Sequence, residues 1–502
     1  MITILKQGSA LANIAVALLL YLIPAGTNAQ IPIIPAPQSV TLGKGYFAPT
    51  KKPATKDMVV VTEKNHGDEY YRLEITPKKI VCYAATETGV FYAKQSLLQL
   101  ADVHGRIPCM IIEDEPRFEW RGLMLDVSRH FFGKEVVLQQ LDILARLKMN
   151  RYHLHLTDET GWRIEIKQYP KLTGVGAEGN WSDRKAPRAF YTQEDIREIV
   201  EYARERHIMV IPEIDMPGHA TAVYRSYPEF STGGTGRWAG FTFYPAAEAT
   251  YTFLRHVLTE VAALFPAPYI HIGGDEVHFG NQEWKTDPKI QQFIQDNQLG
   301  NEVGLEHYFV RRACEIIAGL GKTVIGWDEI IESGVPADKM IVMWWRHDKP
   351  QVLDQALKAG FRVILSPRIP CYFDFVQHDT HKIGRRWSGA FNTLEVAYRF
   401  PESIQDRTAG RERQILGIQA NIWTERIADK KRLDFMTFPR VTVIAEDAWS
   451  GTENKNEATF KERLPLFLKY LDTKKIYYFN PFNPDSTPEP WGPEKEDVIA
   501  EG

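Results

Sequence analysis

The chain has 502 residues, of which 44% are hydrophobic and 25% charged, an ordinary balance for a globular protein. The net charge is −4 and no basic run occurs, so nothing favours nucleic acid as a partner. Four cysteines, Cys82, Cys109, Cys314 and Cys371, are too few and too scattered for a disulfide framework or a metal cluster, and free buried thiols are preferred over a Cys82–Cys109 pair.

Residues 1–29 read as a secretory leader. Lys6 supplies a weak basic start, Leu11 to Ile23 is an apolar run broken only by Asn13, and Thr27-Asn28-Ala29 ends on a small residue where cleavage is expected. The run is shorter than the roughly 20 apolar residues that a membrane span needs. No cysteine follows it for lipid attachment. The mature chain is therefore expected to start at Gln30, to lack a membrane span and to be exported: periplasmic, surface-associated or secreted.

Residues 30–115 read as a small α+β domain. IPIIPAPQSV is proline-rich, as suits an edge or linker segment. Strands are expected at 58–62, 71–77 and 78–86. A helix follows Glu87, with Val90, Ala93, Leu97, Leu98 and Leu100 near helical spacing. No catalytic cluster occurs in this unit.

From Pro116 the texture changes to short continuous apolar strands separated by longer amphipathic helices, the alternation of a parallel sheet. Eight strands are expected, at 122–128, 151–157, 208–214, 269–274, 322–327, 340–345, 362–367 and 415–423. Helices are expected at 134–147, 193–206, 248–265, 304–320, 350–360 and 432–449, the last kinked at Pro439. This predicts a (β/α)8 TIM-type barrel over 116–480, preceded by the small α+β domain. Residues 481–502 are proline-rich and acidic, and read as a tail or surface wrap.

A barrel of this kind carries its chemistry at the C-terminal ends of its strands. There the chain places Asp126, Asp158, Asp215, Asp275 with Glu276, Trp327, Trp345, Tyr372, and Trp423 with Glu425. The stretch His271-Ile272-Gly273-Gly274-Asp275-Glu276 is the centre of this set. A lone Asp-Glu pair more often opens a helix, where acids suit the dipole. So many carboxylates and aromatics in register shift the balance towards acid/base chemistry.

Carboxylates among tryptophans resemble a glycosidase site, but two adjacent acids do not suit attack from opposite faces of a sugar. A 2-acetamido group offers another route. Its carbonyl oxygen can attack its own anomeric carbon, leaving the protein to supply one acid, a second carboxylate for the acetamide N–H, and an apolar box. Pre-positioning such an internal nucleophile lowers a barrier by about 7–11 kcal/mol at best.

Several long motifs carry a resemblance: RGLMLDVSRHF at 121–131, HLHLTDETGWRIEI at 153–166, PEIDMPGHA at 212–220, HIGGDE at 271–276, GWDE at 326–329 and NIWTE at 421–425. In this order they resemble the β-N-acetylhexosaminidases, glycoside hydrolase family 20, over residues 116 to about 450. TGVFYAKQSLLQL at 88–100 resembles that family's N-terminal domain.

The resemblance implies the following roles. Glu276 is the general acid, later the base for water, with a pKa that must be raised. Asp275 holds and polarises the acetamide nitrogen, and Tyr372 hydrogen-bonds the acetamide oxygen. Trp327, Trp345 and Trp423 wall the acetamide. Arg121 and Glu425 bind sugar hydroxyls, with Asp374 a weaker candidate at the sugar rim. Asp158, Asp215 and His219 support the acid. No cofactor or metal is implied, and the partner is a glycan with a terminal β-linked N-acetylhexosamine.

Each residue also has a plainer reading. Arg121 precedes its strand, so it equally suits a salt-bridged residue at the barrel bottom. Trp344 and Trp345 alternate, so only one faces the pocket; the family's tryptophan precedes a basic or small residue, here Arg346, which selects Trp345. Asp126 is expected to be structural, and Trp162 and Trp181 to serve core packing or loop anchoring. A rival reading takes His153-x-His155, with His219 and Asp275, as ligands of a metal-dependent barrel hydrolase. A second rival is a non-catalytic glycan-binding protein.

Overall fold

The protein is described by a computed structural model covering residues 31–51, 53–104, 106–490 and 499–501. The expected leader, 1–29, and residues 491–498 and 502 of the expected tail lie outside the described residues.

The first unit is a five-stranded sheet with one long helix. Its strands are β1 (Ser39–Phe47), β2 (Met58–Thr62), β3 (Tyr71–Ile75), β4 (Ile80–Ala84) and β5 (Ile107–Asp114), in the order β1-β5-β3-β4-β2. Helix α1 (Glu87–His104) packs on β3 and β4. Tyr71, Leu73 and Ile75 alternate into this core, while Arg72 and Glu74 face away. β1 and β5 were not expected. β1 carries two glycines and is exposed almost throughout, so it has no alternating pattern to read. Cys82 and Cys109 lie on β4 and β5 with β3 between them. Two strand spacings separate them by about 9–10 Å, beyond the roughly 7 Å that a disulfide spans. All four cysteines are free and buried.

The barrel follows. Its parallel strands are β6 (Trp120–Asp126), β7 (Arg151–His155), β8 (Met209–Glu213), β9 (Tyr269–His271), β10 (Thr323–Trp327), β11 (Met340–Trp344), β12 (Arg362–Leu365) and β14 (Ile415–Ile422). β14 pairs with β6 and closes the ring. The short β13 (Arg385–Trp387) lies outside it. All eight expected strands are present, with shifted ends. The first begins at Trp120 rather than Gly122, which later matters for Arg121.

The main surrounding helices are α2 (Lys134–Arg146), α3 (Gln193–Arg204), α4 (Glu248–Leu264), α5 (Glu302–Gly319), α6 (Pro350–Lys358), α7 (Lys430–Thr437), α8 (Arg440–Trp449) and α9 (Glu457–Thr473). Thr192 caps α3 by accepting from the Asp195 amide, and the Asp195 carboxylate accepts from the Thr192 amide in return. The expected helix at 432–449 is two helices, because Pro439 stands at the break between α7 and α8. Among the described residues, no helix is long and apolar enough to cross a membrane.

Strand parity sorts the side chains. Leu123, Leu125, Leu154, Val324, Val342 and Trp344 pack outward against the helices. Met124, Ile211, Ile325, Trp327, Ile341, Met343 and Ile364 fill the interior. The small domain meets the barrel through a buried polar knot. Lys148 Nζ lies 2.7 Å from Asp114 Oδ2 and donates to Tyr71 Oη at 2.9 Å, and Trp449 Nε1 donates to Asp114 Oδ1 at 2.9 Å. The first part of the expected tail packs on the barrel: Glu489 accepts from the amides of Lys382 and Ile383 and from Arg432 Nη1.

Candidate active site

The chain leaves β9 through two left-handed glycines, Gly273 at φ 67° and Gly274 at φ 93°. A β-carbon on Gly273 would meet Asp215 Oδ1 at 1.8 Å, and one on Gly274 would meet Ile330 Cγ2 at 2.4 Å. Only glycine permits this turn. It sets down Asp275, which is buried, and Glu276, itself left-handed at φ 54° and 36% exposed at its side chain. His219 Nε2 lies 3.8 Å from both Asp275 Oδ2 and Glu276 Oε2. The two acids therefore stand on one side of the mouth. The carboxyl that burial pushes upward, to about 6, is that of Asp275; the Glu276 charge adds to the rise and His219 opposes it. Among the described residues, Asp275 Oδ1 has no hydrogen-bond partner.

Behind the acids lies a charged chain. Asp158 Oδ1 faces His219 Nδ1 at 3.1 Å, and Asp158 Oδ2 faces His155 Nε2 at 2.9 Å and Arg129 Nη2 at 2.7 Å. Burial works to raise the Asp158 carboxyl, but Arg129, His219 and His155 outweigh it and hold it well below the usual carboxylate range. Burial works to lower His219, but Asp158 and Asp215 keep it well above the usual imidazole value. The Asp215 amide donates to the Thr157 hydroxyl oxygen at 3.0 Å, and burial with the Asp275 charge raises the Asp215 carboxyl well above normal.

Four aromatic rings form the adjoining box. Trp327 and Trp423 lie 5.8 Å apart, Tyr372 and Trp423 6.0 Å, and Trp345 stacks on Tyr372 at 6.3 Å with planes 10° apart. Trp345 shares strand parity with Ile341 and Met343, so it turns inward, whereas Trp344 packs against the helices. Its indole N–H donates to Glu329 Oε2 at 2.9 Å. At the rim, Arg385 spans two expected residues, with Nε 3.3 Å from Asp374 Oδ2 and Nη2 2.8 Å from Glu425 Oε1.

Arg121 does not join this set. It occupies the second position of β6, at the opposite end of the barrel, on the face shared with Leu123 and Leu125. Its guanidinium pairs with Glu69 of the small domain at 2.6 Å and donates to the Phe118 and Lys148 carbonyls. The expected sugar contact is thus replaced by a domain-joining one. Arg129, three residues beyond the strand-end Asp126, holds the mouth position instead, its guanidinium 5.0 Å from the centre of a Trp423 ring. A cation just past a strand-end acid was the available signal. Asp126 is structural, as expected: it accepts from the amides of Ser128, Arg129 and Thr424 and from the Thr424 hydroxyl. Trp162 is core, donating to the Ile164 carbonyl, while Trp181 is exposed on a loop tied to the Arg129 carbonyl.

His153 and His155 face inward, onto Glu213. His155 lies between two carboxylates, Glu213 at 2.7 Å and Asp158 at 2.9 Å, so both its nitrogens donate. His153 Nδ1 accepts from Gln419 Nε2 at 3.0 Å. Neither ring keeps a lone pair for a cation, which counts against the metal-hydrolase reading. Two aromatic patches rim the mouth: Trp238 stacks on Phe279, 5.5 Å away, just past Glu276, and Trp387 packs against His347 and Arg368.

Comparison with known proteins places these observations. The sequence model for the glycosyl hydrolase family 20 catalytic domain matches residues 118–452, and that for domain 2 of the family matches 48–115. A β-hexosaminidase of Porphyromonas gingivalis is 37% identical over 82% of the chain, which spans 55% of that relative's length. A β-hexosaminidase of Vibrio furnissii is 36% identical over 80% of the chain and 68% of its own. Among solved structures, an exo β-N-acetylglucosaminidase of Vibrio harveyi, in complex with N-acetylglucosamine, superposes with a TM-score of 0.83 at 29% identity, covering 92% of this chain and 80% of that one.

Proposed function

The chain belongs to glycosyl hydrolase family 20, and on that premise we propose that it is an exo-acting β-N-acetylhexosaminidase. It removes a terminal, non-reducing β-linked GlcNAc or GalNAc, with retention, using the substrate's acetamide as nucleophile. The observation that carries this reading is the placement of Asp275. It is a buried carboxylate beside the acid, on the same side of the mouth, with one oxygen that has no hydrogen-bond partner among the described residues and an aromatic box next to it. A protein nucleophile would have to flank the glycosidic bond from the other face, about 5–5.5 Å from the acid.

The steps follow from the residues. Trp327, Trp345 and Trp423 press the acetamide into place, and Tyr372 donates to its oxygen. Asp275 Oδ1 accepts the acetamide N–H, which makes the carbonyl oxygen more nucleophilic. That oxygen attacks the anomeric carbon while Glu276 protonates the leaving oxygen. The bicyclic oxazolinium that forms is positive, and the Asp275 carboxylate beside it offsets that charge in a site of low dielectric. Glu276, now ionised, takes a proton from water as it opens the ring, and the product keeps its configuration. Arg129, with Glu425 and Asp374 held by Arg385, offers the charged donors and acceptors that ring hydroxyls need.

The apolar run at 11–23 supports export, which an N-terminus at Gln30 in the mature protein tests. The catalytic reading is tested with the N-acetylglucosamine thiazoline, in which sulfur closes the ring that the acetamide oxygen would form. Competitive inhibition far tighter than the KM of substrate is expected. Binding no tighter than N-acetylglucosamine would mean that a protein carboxylate attacks instead.

A further inference from the structure

Below the acids, the barrel interior holds a further carboxylate. Glu213 ends β8, with His155 and His271 as its register neighbours on β7 and β9. It is fully buried. Its Oε2 lies 2.7 Å from His155 Nδ1 and 2.9 Å from His153 Nε2. Its Oε1 lies 2.9 Å from His271 Nδ1 and accepts the indole N–H of Trp327 at 3.0 Å. Because His153 Nδ1 already accepts from Gln419, the proton of that ring sits on the nitrogen facing Glu213. Burying a lone carboxylate is costly, and a layer that served packing alone would be filled by apolar residues, as its neighbours Ile211, Ile325 and Ile341 are.

Two of these contacts lead to the reaction centre. The first is an alternation of acids and imidazoles: Glu213, His155, Asp158, His219, then the Asp275–Glu276 pair. Each imidazole is oriented by the carboxylate behind it, so the last ring, His219, is oriented from the barrel interior. The second contact fixes the indole of Trp327, which lies against Trp423 in the aromatic box.

We propose that Glu213 is a positioning residue for the reaction, acting through His155 and Asp158 on the His219 that faces the proton donor, and through Trp327 on the acetamide wall. This rests on the function proposed above. His153-x-His155 then has a role: it sets two imidazoles against this carboxylate, His155 hydrogen-bonded to it and His153 2.9 Å away.

The test compares Glu213→Gln with the native chain on two β-N-acetylglucosaminides, one with a nitrophenyl and one with a methyl aglycone. The methyl aglycone leaves only with a proton, so it reports on the donor; a positioned general acid contributes roughly 10²–10⁴-fold. In folded Glu213→Gln, kcat on the methyl glycoside is expected to fall at least about tenfold further than on the nitrophenyl glycoside. His155→Gln, one link along, should show the same split and replaces the first variant if that one does not fold. Glu213→Asp, which keeps the charge, should recover part of the loss. Equal losses on both aglycones, or full activity in folded Glu213→Gln, would overturn the proposal. If the native chain cleaves neither glycoside, the function itself is wrong, a separate result.

Discussion

Arg129 Nη2 lies 2.7 Å from Asp158 Oδ2, at the end of the barrel where the acids gather. Arg121, eight residues earlier, lies at the other end, 2.6 Å from Glu69. Substituting each should therefore give opposite phenotypes. Arg129→Ala is expected to lower kcat/KM by about 10- to 100-fold, since a hydrogen bond to a charged group contributes about 1.5–3 kcal/mol. Arg121→Met should leave KM unchanged and lower stability by about 3 kcal/mol, the low end for a broken buried pair, because Glu69 is partly open to water. Michaelis curves and thermal melts separate the two.

Asp275 must be ionised to hold the acetamide N–H and face the oxazolinium. Its carboxyl is raised to about 6, so it carries charge above that pH and loses it below. The expected kcat/KM profile falls on the acid side with a midpoint near 6. Asp275→Asn should be much slower and should lack that limb while keeping its fold. An unchanged limb in the variant would assign it to another group.

Trp344 and Trp345 test the strand parity. Trp345 stacks on Tyr372 in the box, so Trp345→Ala should raise KM and lower kcat with a modest loss of stability. Trp344 is buried among the helices, so Trp344→Ala should cost about 3–5 kcal/mol of stability and spare the activity of molecules that remain folded. Melting curves and turnover per folded molecule decide it.

The eight βα units and the acid pair were legible because short apolar strands, amphipathic helices and strand-end carboxylates follow simple periods. Trp345 was selected by its neighbour Arg346, and strand parity explains the choice. Arg121 was misplaced because an arginine next to a strand reads alike at either end; its true partner, Glu69, is 52 residues away in the other domain. Arg385 could not be read, since its link between Asp374 and Glu425 exists only once a long irregular segment is folded. The edge strand β1 was missed because exposure on both faces erases alternation.

Glu276→Gln removes the proton donor. Turnover of a methyl or disaccharide substrate should drop by about 10²–10⁴-fold, and that of the nitrophenyl glycoside by much less. Equal losses across leaving groups would count against Glu276 as the acid.

The most direct measurement is a paired turnover assay on nitrophenyl β-N-acetylglucosaminide and nitrophenyl β-glucoside, which differ only at the acetamide. Cleavage of the first, with the second slower by about 10⁵-fold or more, is expected if the acetamide is the nucleophile, given the effective molarity of an internal group. Comparable cleavage of both would contradict the account, because a carboxylate of the protein would then be making the attack.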